Sequence, residues 1–162
     1  MGSAGESSNC WAEPLRFPYG QYEVEPTPGQ PEQTIVYRPV IPIGITGEAG
    51  TAVFYGLLDT GADETLLPKK VADLIGIKAN TSQTSTVMSA SGEMTVSYGR
   101  VTIEIGHGRQ KYRWGAIVGI VEQPWQEALL GHIGFLRYFD VTFLGAKQEV
   151  KLKRNTIPFP KE

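Results

Sequence analysis

The chain has 162 residues, 41% of them hydrophobic and 20% charged, a composition that suits one globular domain with a core of its own. With 15 basic and 17 acidic side chains the net charge is −2, which argues against a nucleic-acid platform or a polybasic membrane binder. A single cysteine, Cys10, excludes an intrachain disulfide and makes a structural zinc site hard to build, and a Ser-His or Cys-His mechanism would have to use His107 or His132.

The first residues lack the charged start and apolar run of a secretory signal, and Glu6 stands where a myristoylation pattern requires Ser or Thr. No stretch has the length of a membrane-spanning helix, so a cytoplasmic setting is expected, without membrane or nucleic-acid partners. Residues 1–32 carry Pro14, Pro18, Pro26, Pro28 and Pro31 among Gly, Ser and Glu, and read as an extended, weakly ordered tail. Trp11, Phe17, Tyr19 and Tyr22 are more aromatic than a solvated tail needs, so part of it is expected against the body or a partner. A domain over 33–155 follows, then a short C-terminal tail, 156–162.

From residue 34 strand signals are dense. Residues 34–37 are β-branched and aromatic, and 40–46 and 51–58 flank a Gly-Glu-Ala-Gly turn, which makes a hairpin. Pro39 and Pro42 demote its first arm to an edge or bulged strand. Residues 71–75, closed by Gly76, form a short helix with a glycine stop. Segments 84–88 and 94–98 flank a small polar tip and make a second hairpin; 101–105 and 110–121 are strands joined through Gly106-His107-Gly108. Residues 127–130 lead to Gly131, 135–138 make one helical turn, and 141–144 with 149–153 make a last hairpin. Many short strands with one or two short helices define an all-β sheet domain or barrel.

The sharpest chemical feature is Asp59-Thr60-Gly61-Ala62, reached directly from the apolar run Leu57-Leu58. A carboxylate at the inner end of a strand is costly unless it is hydrogen-bonded, and the glycine lets backbone N–H groups approach it. On its own the tripeptide fits an Asx-type turn that ends a strand at least as well as a catalytic loop. About seventy residues on, Ala128-Leu129-Leu130-Gly131 fits a second apolar strand beside the first, and alone it is only a core strand.

Together these blocks resemble the retropepsin-like aspartic proteases, the single-domain retroviral type with cellular and bacterial relatives. The resemblance spans about residues 33–143. It includes Arg38-Pro39, the run from Leu57 through Asp63-Glu64-Thr65 to Leu67, the strand 101–106, Leu129-Leu130-Gly131, and the turn and strand from Phe135 to Phe143. It implies a half-barrel of short strands with a flap hairpin and an aspartic endopeptidase acting on extended polypeptide. Asp59 matches the catalytic aspartate. Thr60 and Gly61 match the support of the catalytic loop, with Thr60 tying the two loops together across a dimer. Ala62, Asp63, Glu64, the flap tip Ser89, Ala90, Ser91 and Gly92, and Leu129 match substrate contacts. Arg38 and Asp63 match an intersubunit salt bridge. The chain departs from the retroviral pattern in a glycine-poor flap tip, in His132 where those proteases have arginine, and in continuing past the strand at which they end and pair their termini.

Peptide hydrolysis needs one carboxylate to take a proton from water and one carboxyl group to give a proton to the carbonyl oxygen. The chain has one Asp-Thr-Gly, so a homodimer must bring two Asp59 residues together. Neither metal nor organic cofactor is required. The alternative is a catalytically silent dimeric module of the same fold that binds peptide or protein. The remaining candidates have plainer readings: His132 as a supporting group, His107 as solvated, Cys10 as unreactive, Trp114 and Trp125 as packing, and 147–154 as a solvated hairpin face.

Overall fold

The computed structural model describes residues 12–89, 92–122 and 126–162. Its strands begin with β1 (Leu15–Pro18), β2 (Gly20–Glu23), β3 (Ile35–Arg38), β4 (Val40–Gly47) and β5 (Gly50–Leu58). β6 (Leu66–Pro68) runs into helix α1 (Lys69–Leu74), and β7 (Asn80–Ser89) and β8 (Gly92–His107) make a long hairpin. β9 (Gln110–Val121), β10 (Ala128–Leu130), a 3-10 turn at Leu136–Tyr138, β11 (Phe139–Leu144) and β12 (Glu149–Arg154) complete the chain.

Seven strands form one sheet in the order β4-β5-β10-β6-β9-β8-β7, and β4 also pairs with β8. Six strands therefore close on themselves and β7 stands outside the ring. Alternation explains the closure. Ile41, Ile43 and Ile45 of β4 face inward against Val101, Ile103 and Ile105 of β8, all buried. Each such side chain contributes about 1.5–3 kcal/mol on burial. Trp114 of β9 is fully buried at the centre, stacked on Phe159, and donates from Nε1 to the Gly134 carbonyl at 2.9 Å.

β8 changes its buried face along its length. Met94 and Val96 are buried with Leu66 and Val121 in a small second cluster, whereas Val101, Ile103 and Ile105 belong to the main core. Since successive side chains of a strand point to opposite faces, the two sets lie on opposite sides of β8. The handover falls at Tyr98 and Gly99. A Cβ on Gly99 would come within 2.3 Å of Ile77 Cγ2, so the core side of the strand is tight there.

The sequence reading is corrected at both ends. Where an extended, weakly ordered tail to residue 32 was expected, with part of it against the body or a partner, β1 pairs with β12, and Leu15 and Phe17 are buried. β2 pairs with β3 as a separate ribbon. The apolar Leu15 and Phe17 alternate with Arg16 and so seat one face of a four-residue strand, a signal masked by the surrounding prolines. At the other end Phe159 stacks on Trp114, Arg154 lies 3.8 Å from the Phe159 ring centre, and Arg113 pairs with Glu162 at 2.9 Å. The hairpin 147–154 is likewise more than a solvated face, because Val150 and Leu152 are fully buried. The edge expectation holds for the first half of β4, where Pro42 pairs only with β5; residues 44–46 gain β8 as a second partner.

Candidate active site

β5 ends at buried Leu58, and β10 runs parallel beside it, with Leu130 opposite Leu58. The Leu58 N–H donates to the Pro39 carbonyl at 3.0 Å and the Asp59 N–H to the Leu130 carbonyl at 3.2 Å. The chain leaves the sheet at Asp59, whose Oδ1 accepts the Gly61 N–H at 2.9 Å. That is an Asx-type turn. The turn reading of the tripeptide therefore holds, and the same carboxylate also lines a groove.

A second segment braces the loop. His132 N–H donates to the Ala62 carbonyl at 3.0 Å and Ile133 N–H to the Asp63 carbonyl at 2.7 Å. Thr65, buried although polar, donates from both its N–H and Oγ1 to the Ile133 carbonyl, each at 3.0 Å. Gly131 must be small, since a Cβ there would come within 2.3 Å of the Glu64 carbonyl oxygen. His132 has the supporting role expected of it: its Nε2 lies 2.9 Å from the Thr60 carbonyl oxygen, which it reaches as a donor.

The groove above this loop has a volume of about 1310 Å³. Asp59, Gly61, Ala62, Asp63, Glu64, Leu129 and Arg38 all line it, so most of the residues picked out in the sequence converge on one surface. Thr60 does not line it and is exposed. Of the flap tip, Ala90, Ser91 and the Ser89 side chain lie outside the described residues, as does Trp125; Gly92 opens β8 with φ +113°. The sequence reading missed Ser85, Val87, Met94 and Tyr98 from the hairpin and Ile133 from the bracing segment. The hairpin was visible, but which of its faces covers the groove is decided by packing.

Two tyrosines meet carboxylates at the groove. The Tyr98 hydroxyl donates to Glu64 Oε2 at 2.9 Å and lies 2.6 Å from Ser85 Oγ. The Ser85 hydroxyl pulls the Tyr98 phenol down, but burial and the Glu64 carboxylate outweigh it and hold the phenol above the usual tyrosine range. Burial, then Glu127, raises the Tyr22 phenol in the same way. The Arg38 guanidinium lies 4.9 Å from the Tyr22 ring centre, a cation–π contact. Among the described residues neither Arg38 nor Asp63 takes part in an ion pair, and no cluster of side chains suited to a metal ion occurs.

An all-β fold here places a carboxylate loop on the floor of a groove, under a hairpin. Residues 45–121 match the model of the aspartyl protease family, a stretch that holds the Asp59 loop and the hairpin, and the resemblance read from the sequence is thereby borne out. The fold class is all-β, as expected. No curated protein matches the chain. Among solved structures, the EIAV protease complexed with the inhibitor HBY-793 is 21% identical with a TM-score of 0.41, over 59% of this chain and 82% of that one. A retropepsin-like aspartic protease from Rickettsia conorii is 18% identical with a TM-score of 0.48, over 82% of this chain and 98% of that one.

Proposed function

We propose that the protein is an aspartic endopeptidase whose active form is a homodimer with one Asp59 from each subunit. The observation that carries this reading is the position of Asp59. Its loop is held by backbone hydrogen bonds from two directions and its carboxylate lines a largely apolar groove. Leu57, Leu66, Val87 and Leu129 suit apolar side chains of an extended peptide, and the acidic Asp63 and Glu64 suit its polar backbone and flanks.

Two carboxylates brought within a few ångströms cannot both ionise easily, so they hold one proton between them, a behaviour characteristic of aspartic-protease dyads. A water molecule between them loses a proton to the charged carboxylate as its oxygen attacks the peptide carbonyl carbon. The neutral carboxyl group protonates the carbonyl oxygen. Collapse of the tetrahedral species breaks the C–N bond, and the amine leaves with a proton from the dyad. In this scheme Thr60 and Gly61 support the loop, and Ala62, Leu129 and the flap hold the peptide.

Asp59→Asn tests the reading. The amide is nearly isosteric, so the variant should fold like the parent and lose cleavage of a mixed peptide library by at least about a thousandfold, as expected when the sole acid–base group is removed. Near-parental cleavage by the variant would refute it. Peptide binding with no cleavage by either protein would identify the silent binding module instead.

A further inference from the structure

We propose that Tyr98 is a positioning residue that couples the flap hairpin to the catalytic loop through Ser85 and Glu64. Its place in the fold carries the argument. From residue 92 to residue 96, β8 pairs only with β7, so this part of the hairpin is a two-stranded ribbon. At Ser97 a third strand begins, with Ser97 opposite Ile120 and Tyr98 opposite Gly119 of β9. A two-stranded ribbon is marginally stable by itself, and it bends where the third strand ends. On the other arm the β7–β8 register shifts between Asn80 and Thr84, a bulge at the same level. Tyr98 therefore stands at the root of the hairpin, as the last residue on the groove side before the buried face of β8 changes over.

From that root its hydroxyl touches both the hairpin's other strand and the Asp59 loop segment. It donates to Glu64 Oε2 at 2.9 Å, one residue beyond Asp63 in the catalytic loop. Because that proton is committed, the 2.6 Å contact is completed by the Ser85 hydroxyl donating to Tyr98 Oη. Two hydroxyl groups thus run in series from β7 through β8 into a carboxylate, and bonds in such a chain strengthen one another. The last is charge-assisted. All three side chains line the groove, so a shift of the hairpin root moves Glu64, and a peptide that fixes Glu64 fixes the root.

The catalytic consequence rests on the protease reading, whereas the coupling itself does not, and the experiment separates the two. Parent, Tyr98→Phe, Glu64→Ala and the double variant are compared by peptide-cleavage kinetics and, without ligand, by amide hydrogen exchange of the full chain. Loss of one hydrogen bond to a charged group should raise KM about tenfold in Tyr98→Phe, with a much smaller fall in kcat. Exchange should accelerate in residues 84–97 while the core strands β4 and β9 keep parental rates. In the Glu64→Ala background, Tyr98→Phe should add little to either effect. The proposal is overturned if Tyr98→Phe leaves KM and hairpin exchange at parental values. It is also overturned if exchange accelerates equally in the core strands, or if the effects of the two substitutions simply add. If the parent cleaves no peptide, the protease reading fails, and the exchange cycle still decides whether the hairpin and loop are coupled.

Discussion

Gly131 is where the floor of the groove leaves least room. A methyl group there would come within 2.3 Å of the Glu64 carbonyl oxygen and 2.7 Å of that of Ala62, both backbone atoms. Neither can rotate away, so the Asp59 loop itself must shift. Gly131→Ala should cost about 1–3 kcal/mol of stability in denaturant unfolding, the usual range for overpacking. Its cleavage rate should fall further than the lost folded fraction explains, because the displaced segment carries Ala62 and Asp63. Parental activity with reduced stability would separate the loop from the chemistry. The apolar-apolar-glycine block thus has a physical reason at this one position: the glycine lets two segments far apart in sequence pass in contact.

The β7–β8 hairpin divides into a seated root and a free arm. Met94 and Val96 are buried against Leu66 and Val121, whereas Met88 is 75% exposed. Few buried contacts and hydrogen bonds open to water give low local stability, the property expected of a lid over a groove. Amide exchange should therefore be fast in 86–89 and 92–93 and slow from Val96 onward. A peptide-like inhibitor should protect the fast segment. Uniform protection along the hairpin, unchanged by inhibitor, would show that it is a fixed wall. The sequence showed two short runs flanking a small polar tip, hence the hairpin, but Tyr98 carries no local mark of its role because Glu64 and Ser85 lie 34 and 13 residues away.

In the whole molecule, the terminal strands pair within one chain. β12 has β1 on one side and β11 on the other, so both of its edges are filled in cis. Removing residues 1–18 would uncover Val150 and Leu152 and lose the burial of Leu15 and Phe17, which should cost about 3–6 kcal/mol at about 1.5–3 kcal/mol for each buried side chain. A thermal melt of the shortened chain within a few degrees of the parent would show that β1 adds nothing. In the proposed dimer the terminal strands are already paired within each chain, so the expected Arg38–Asp63 bridge is the contact to test. In one subunit Arg38 already rests on Tyr22, so the bridge would compete with that contact. A double-mutant cycle on dimer affinity with Arg38→Ala and Asp63→Ala should show a coupling above about 1 kcal/mol for a bidentate pair, and strict additivity would leave Arg38 to Tyr22. Specific activity should fall on dilution wherever the dimer dissociates.

What the sequence determined by itself is whatever short-range spacing encodes. The isoleucine alternation of β4, the glycine after α1 at φ +67°, the apolar run into Asp59-Thr60-Gly61 and the small residue at Gly131 are all local necessities. They were enough for the all-β class, the hairpin and the carboxylate loop. Only the tertiary structure decided that residues 15–18 form a strand paired with β12, that His132 reaches the Thr60 carbonyl, and that Tyr98 joins Ser85 to Glu64. These depend on segments that meet through burial of apolar surface, a non-directional force that leaves no periodic trace of which polar groups it will bring together.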